Sequence, residues 1–344
     1  MARFFLFLFM ISASSAWADS GIQGRTAWRG DLVSGVRVRA YRHIEDIATD
    51  KVLAVSDPTG SDGIYTLDLP PGAYVLTARN YETTARPGDY FCYYSGSPVS
   101  VSEGYFSNVG FNLIKIPQEV SPVAGKSSGI KGEISYLDAP LERVYLYVYK
   151  DAKEGFKGPG YNIVPVEKGQ FKLRLPPGDY YLLARKRARG GRFGPVETGD
   201  YFSYYYGNPV HIEAGQIRET RIEAITRLSL FDDTDNPVFI GIQGDVVGPD
   251  GTPLSGLYVF GYRKSSMSGV PEVFSARTDK DGRFRLPLTE SGAWYLLARE
   301  NFGGPAVEGE LYGRFGGENI QPVRFAKDKS TPKVTIHVAP KKNL

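Results

Sequence analysis

Apolar and polar residues alternate over short stretches along most of the chain. Val36-Arg37-Val38-Arg39-Ala40-Tyr41 alternates, and so do Phe171-Lys172-Leu173-Arg174-Leu175 and Phe284-Arg285-Leu286. A period of two sends one set of side chains to a buried face and the other to water, so these stretches read as half-buried β-strands. Asp62-Gly63 and Asp281-Gly282 stand where a tight hairpin needs positive φ, and a Pro-Gly pair precedes the following apolar run in two places. No amphipathic helical period appears beyond the N-terminal residues. The pattern predicts short antiparallel strands joined by turns at intervals of about 8 to 12 residues.

The pattern recurs. Gly21-Ile22-Gln23-Gly24 returns as Gly129-Ile130-Lys131-Gly132 and as Gly241-Ile242-Gln243-Gly244. Leu69-Pro70-Pro71-Gly72-Ala73-Tyr74 matches Leu175-Pro176-Pro177-Gly178-Asp179-Tyr180, and both run on to Ala-Arg at Arg79 and Arg185, as Gly292-Ala293-Trp294 does at Arg299. Gly88-Asp89-Tyr90-Phe91-Cys92-Tyr93-Tyr94 reappears as Gly199-Asp200-Tyr201-Phe202-Ser203-Tyr204-Tyr205, with Gly309-Glu310-Leu311-Tyr312-Gly313-Arg314-Phe315 as the third version. A period of roughly 110 residues is too long for a solenoid repeat, so each unit is expected to enclose its own core. The expected fold is all-β: three tandem antiparallel β-sandwich domains after an N-terminal signal peptide.

The expected divisions are a signal peptide over 1–18 and sandwiches over 19–117, 126–226 and 239–340. Arg3, the apolar run Phe4 to Ile11 and the small residues Ala16 and Ala18 make the export signal, with mature chain from about Asp19. The apolar run is shorter than the ~20 residues a spanning helix needs, and no later stretch is apolar enough to span. The segments Ile116 to Ser128 and Arg227 to Val238 lack periodicity and read as linkers.

The order Gly-Ile-x-Gly, a strand, Asp-Gly-x-Phe/Tyr-x-Leu and Leu-Pro-Pro-Gly-x-Tyr resembles the carboxypeptidase regulatory-like family. That resemblance implies a transthyretin-like, or prealbumin-like, β-sandwich, in three copies over nearly all of the mature chain. It implies no activity of its own, because such modules usually accompany something else. Unit two has Lys168-Gly169 at the Asp-Gly turn, so the acid there has no shared role beyond turn chemistry.

Charge excludes one class of partner: Lys and Arg number 41 against 38 Asp and Glu over 344 residues, a net charge of +3 and no basic stripe for nucleic acid. Three His and one Cys leave little for a metal or nucleophile site. His43-Ile44-Glu45 and His211-Ile212-Glu213 lack the spacing of a zinc peptidase, and no Gly-x-Ser-x-Gly turn is present. Asp279 and Asp281, with Asp57 and Asp62, lack the bidentate Glu of a calcium loop. No catalytic residue, metal or cofactor is expected. Cys92 has no partner for an intrachain disulfide, and its equivalents Ser203 and Gly313 mark a slot for a small side chain.

Three residue sets remain as candidates. Arg79, Arg185 and Arg299 close one strand, and Asp89, Asp200 and Glu310 open the next motif, which suggests an ion pair in each unit. Lys186, Arg187, Arg189 and Arg192 crowd the unit-two loop as a candidate anion patch. Tyr90, Phe91, Tyr93 and Tyr94 with Tyr201, Phe202, Tyr204 and Tyr205 form the candidate binding surface, one aromatic set facing inward and the other left for a partner. Two functions are compatible with this: a non-catalytic spacer or docking scaffold of the periplasm or cell surface, meeting envelope or extracellular proteins, or a carbohydrate-binding protein meeting polysaccharide through the tyrosines. The scaffold ranks first, because nothing selects a glycan.

Overall fold

The computed structural model describes residues 20–118, 123–124, 127–153, 155–158, 160–227, 241–269, 271–288, 290–301, 306–326 and 332–342. The expected signal peptide and most of the second linker lie outside these residues. The described chain is β-structure throughout, with a single 3-10 turn at Ile44–Ile47.

Each unit stacks two sheets. In unit 1 the strand Gly21–Trp28 lies between Ile64–Asp68 and the pair Phe106–Asn108 and Phe111–Asn112. The second sheet runs Ile114–Lys115, Tyr90–Tyr93, Gly72–Arg79, Arg37–Tyr41, Ala54–Val55. Unit 2 repeats the plan with Gly129–Tyr136 in one sheet and Glu142–Tyr149, Gly178–Lys186 and Tyr201–Tyr204 in the other. Unit 3 does so with Gly241–Val247, then Tyr258–Tyr262, Gly292–Arg299 and Leu311–Arg314. Val123–Ala124, expected in a linker, pairs with Ile217 and Gln216 at the edge of unit 2.

The alternation in the sequence becomes one apolar core per unit. Ile22, Val38, Leu76 and Phe111 fill the first, Ile130, Leu146, Leu182 and Ile222 the second, and Ile242, Val259, Leu296 and Ile336 the third. Full burial of each such side chain is worth about 1.5 to 3 kcal/mol. The hairpin glycines take the expected conformation, with φ of 64° at Gly63, 72° at Gly169 and 75° at Gly282.

Pairing departs from the antiparallel expectation at one place. The last long strand of each unit runs parallel to the first, as in Gly129–Tyr136 against Gln216–Glu223 and Gly241–Val247 against Lys333–His337. Alternation carries no strand direction, so only the chain path decides this. The parallel neighbour explains the Gly-Ile-x-Gly motif. A Cβ on its second glycine would lie 2.0 Å from the Val109 carbonyl oxygen at Gly24, 2.0 Å from that of Thr220 at Gly132 and 1.8 Å from that of Val334 at Gly244. Ile22, Ile130 and Ile242, inside the motif, are fully buried.

Cys92 faces the unit 1 core opposite Ala78, as Ser203 faces Ala184 and Gly313 faces Ala298. Burial pushes its thiol pKa well above the usual range. We expect a thiol reagent to label the native chain only as it unfolds, and Cys92→Ser to cost no more than about 1 kcal/mol. Rapid labelling of native protein, or a disulfide-linked dimer on a non-reducing gel, would count against this placement.

Candidate functional site

The aromatic block sits on the strands Tyr90–Tyr93 and Tyr201–Tyr204 and the residue after each, and its two faces have different fates. Tyr90 and Tyr201 turn toward the cores, Tyr90 against Trp28 at 6.1 Å and Tyr201 against Tyr136 at 4.9 Å between ring centroids. Tyr94 packs on Phe111, and Tyr205 is part of the unit 2 core. The opposite set, Phe91, Tyr93, Phe202 and Tyr204, does not face solvent: the outer sheet faces of units 1 and 2 close on each other through these rings.

The closure has an approximate two-fold symmetry. Strand pairing makes Phe91 equivalent to Phe202, Tyr93 to Tyr204 and Ile114 to Ile225. Phe91 meets Tyr204 at 6.3 Å, Tyr93 meets Phe202 at 5.9 Å, and Tyr93 stacks on Tyr204 at 5.2 Å with 22° between their planes. Each residue thus touches the counterpart of its own neighbour, the signature of an isologous contact. Tyr41 and Val75 extend the contact against Ala152, Phe156 and Tyr181. Arg29 bridges the same two units by donating to Asp138 at 2.6 Å and to Glu223 at 3.2 Å. Burial raises the phenol pKa values of Tyr93 and Tyr204.

Unit 3 meets unit 2 through polar groups. The Glu197 carboxylate accepts from the Tyr258 hydroxyl and from Arg277 Nε at 3.0 Å, Arg187 donates to Glu197 at 3.1 Å and to Tyr258 at 3.0 Å, and Lys157 donates to the Glu272 carbonyl at 2.9 Å. The two arginines and the tyrosine hold the Glu197 carboxyl below its ordinary pKa although burial works the other way. Arg187 is therefore committed to this junction rather than to the expected anion patch. Of the other three, Lys186 lies over the Tyr201 ring at 5.4 Å, while Arg189 and Arg192 are exposed. Glu197 and Arg277 carry no signal in the repeat, since both sit in loops.

The three expected ion pairs take three forms. Arg299 and Glu310 form a buried fork, with Nε to Oε1 at 2.7 Å and Nη2 to Oε2 at 2.9 Å. Arg185 lies 3.9 Å from Asp200 without a hydrogen bond, and Asp200 accepts instead from the Ala188 and Glu197 amides. Arg79 does not join Asp89: it donates to Asp50 at 2.7 Å, and Asp89 accepts from the Arg86 amide. Asp50, in the connection that follows Arg37–Tyr41, also accepts from Tyr41 and Arg39 and draws Arg79 away.

Burial opposes the charge on Glu310, but its hydrogen bonds from Arg299, Asn301 and Val307 outweigh that and lower its pKa. A carboxylate with a depressed folded pKa stabilises fully above its unfolded value and loses that contribution as pH falls through the folded one. We expect Glu310→Gln to cost about 2 kcal/mol at pH 7. We also expect it to flatten the loss of stability below the ordinary Glu value of 4.5. Urea titrations at pH 7 and at pH 3 check both, and equal wild-type and variant stabilities at pH 7 would remove the fork from the account.

The turn acids do turn work. Asp279 Oδ1 accepts from the amides of Asp281 at 2.9 Å and Arg283 at 2.8 Å, and Asp62 Oδ1 from that of Ile64 at 3.0 Å. Among the described residues no three His, Cys, Asp or Glu side chains are grouped so as to hold a metal ion. No described helix is long and apolar enough to cross a membrane.

A cleft of about 1500 Å³ opens where unit 3 stands against the paired units 1 and 2, with Tyr147, Leu183 and Arg185 on one wall and Phe260, Leu297 and Arg314 on the other.

No family model matches this chain, and no curated protein does. Among solved structures, the Bacillus anthracis TIE protein aligns at 14% identity and a TM-score of 0.19 over 93% of this chain and 50% of its own. A Streptococcal ancillary pilin aligns at 14% and 0.19 over 94% of this chain and 100% of its own, and BcpA, the major pilin subunit of Bacillus cereus, at 12% and 0.20 over 94% and 100%. The chain thus spans half the length of the TIE protein. At such scores these likenesses carry no argument about this chain, which stands on its own geometry as a string of three β-sandwiches.

Proposed function

We propose that this chain is an exported, non-catalytic docking protein of the cell envelope or surface, built from three transthyretin-like modules of the carboxypeptidase regulatory-like type. One observation carries the reading: the ring-bearing faces of units 1 and 2 are spent on each other, which makes a stiff two-module body with unit 3 held beside it by polar contacts. Sheet-to-sheet packing shortens the reach of the chain compared with an end-to-end rod, so the arrangement suits presentation of a surface better than spacing. The motif order supports the module type, and the sequence of residues 1–18 supports export. The eight candidate rings are packed in cores or in the junction of units 1 and 2, so no open row of them favours a polysaccharide.

Fractionation of producing cells tests the reading. The expected result is a chain shortened to about Asp19 in the envelope or the medium, in contact with envelope proteins after brief cross-linking. A full-length chain confined to the cytosol would overturn it.

A further inference from the structure

Arg185 is set apart from its two equivalents. Arg299 has the Glu310 fork and Arg79 has Asp50 at 2.7 Å, while Arg185 has its nearest carboxylate at 3.9 Å. Its hydrogen bond goes from Nη2 to the Pro195 carbonyl, and its Nε, like that of Arg79, is buried without a partner. Its side chain is 14% exposed and lines the cleft. A guanidinium this far buried without a hydrogen-bonded carboxylate is costly, and an incoming carboxylate that meets its exposed part offsets that cost. Desolvation lowers the pKa of Arg185, as expected for a cation short of counter-charge.

The rest of the cleft has a matching character. Eight Lys and Arg side chains line it against two carboxylates, Glu45 and Glu290, so its field draws anions even though some of these cations already donate to neighbours. Lys153 and Arg192 stand exposed at its rim. Between the cations the lining is apolar, from Tyr147, Phe260 and Leu297, all at most 5% exposed. Exposed Phe193 and half-buried Phe156, Val196 and Phe274 leave apolar surface beside these cations, which suits a peptide whose side chains alternate between aliphatic and acidic. The volume exceeds the ~300 to 1,000 Å³ of small-molecule pockets and leaves room for a length of chain.

We propose that this cleft binds an extended acidic peptide segment of a partner protein and that Arg185 takes one of its carboxylates. This deepens the docking reading and rests on it.

Selection of a random dodecapeptide library on the immobilised mature chain tests the proposal. The expected binders pair Asp or Glu with apolar residues. The affinity of the selected peptides is expected to fall at least tenfold when their acids become amides, and again in Arg185→Gln. Should Arg185→Gln not fold, the exposed pair Lys153→Glu and Arg192→Glu is expected to give the same tenfold loss. Binders without acid enrichment, or affinities unchanged in both variants, overturn the proposal. Retention of an oligogalacturonate probe without acidic peptide binders overturns the choice of peptide. None of these failures touches the docking reading, which fractionation and the cooperativity of units 1 and 2 test separately.

Discussion

Gly244→Ala is expected to cost unit 3 about 3 kcal/mol, and Gly24→Ala and Gly132→Ala to cost their own units as much, at the upper end of what overpacking does. The added Cβ would sit 1.8 to 2.0 Å from a carbonyl oxygen of the parallel neighbour. That oxygen belongs to backbone inside the sheet and cannot swing aside as a side chain does. Relief requires the first and last strands to part, which breaks the ladder that closes the unit. Gly60→Ala is the control, because its nearest neighbour is the Asp62 carboxylate at 3.2 Å, the end of a flexible side chain. Urea unfolding of the four variants decides: an unshifted midpoint in Gly244→Ala would show that the close approach is not what holds glycine there.

Tyr93→Ala and Tyr204→Ala are expected to cost about 3 kcal/mol each, the loss for truncating a large buried aromatic. Being related by the approximate two-fold, they should cost similar amounts. The double variant should fall short of the sum by about 1 kcal/mol, since the two rings stack on each other. The wild-type units 1 and 2 should unfold in one transition, and either variant should split it. Tyr312→Ala, at the place in unit 3 equivalent to Phe91, should cost less and leave units 1 and 2 coupled. Separate transitions in the wild type, or purely additive losses, would mean that the ring contact does not join the units.

The two-fold contact follows from the repeat itself. Two copies of one unit present the same face, and a face that fits its own copy can close on it. Unit 3 carries Tyr312, Arg314 and Ala339 at the places of Phe91, Tyr93 and Ile114, a set that cannot make the same apolar contact. Its face lines the cleft instead, with Phe260, Leu297 and Arg314.

Alternation, turn glycines and a threefold motif were enough to determine strands, sandwiches and three cores, because each depends on residues within one unit. The small slot at Cys92, Ser203 and Gly313 was legible for the same reason, being a packing constraint that each copy meets alone. Sequence order did not show that the first and last strands run parallel, since a side-chain period of two is the same in either direction. Nor did it show that Arg79 would turn to Asp50, or that Glu197 would tie unit 2 to Tyr258 and Arg277, because Asp50, Glu197 and Arg277 lie in connecting loops whose residues differ from copy to copy. The aromatic block was legible as a strand with one inward and one outward set of rings, but what the outward set meets was decided only when two sheet faces came together in space. A ring on the outer face of a strand reads the same whether it waits for a ligand or closes on its own duplicate. Only the relative placement of the units separates the two.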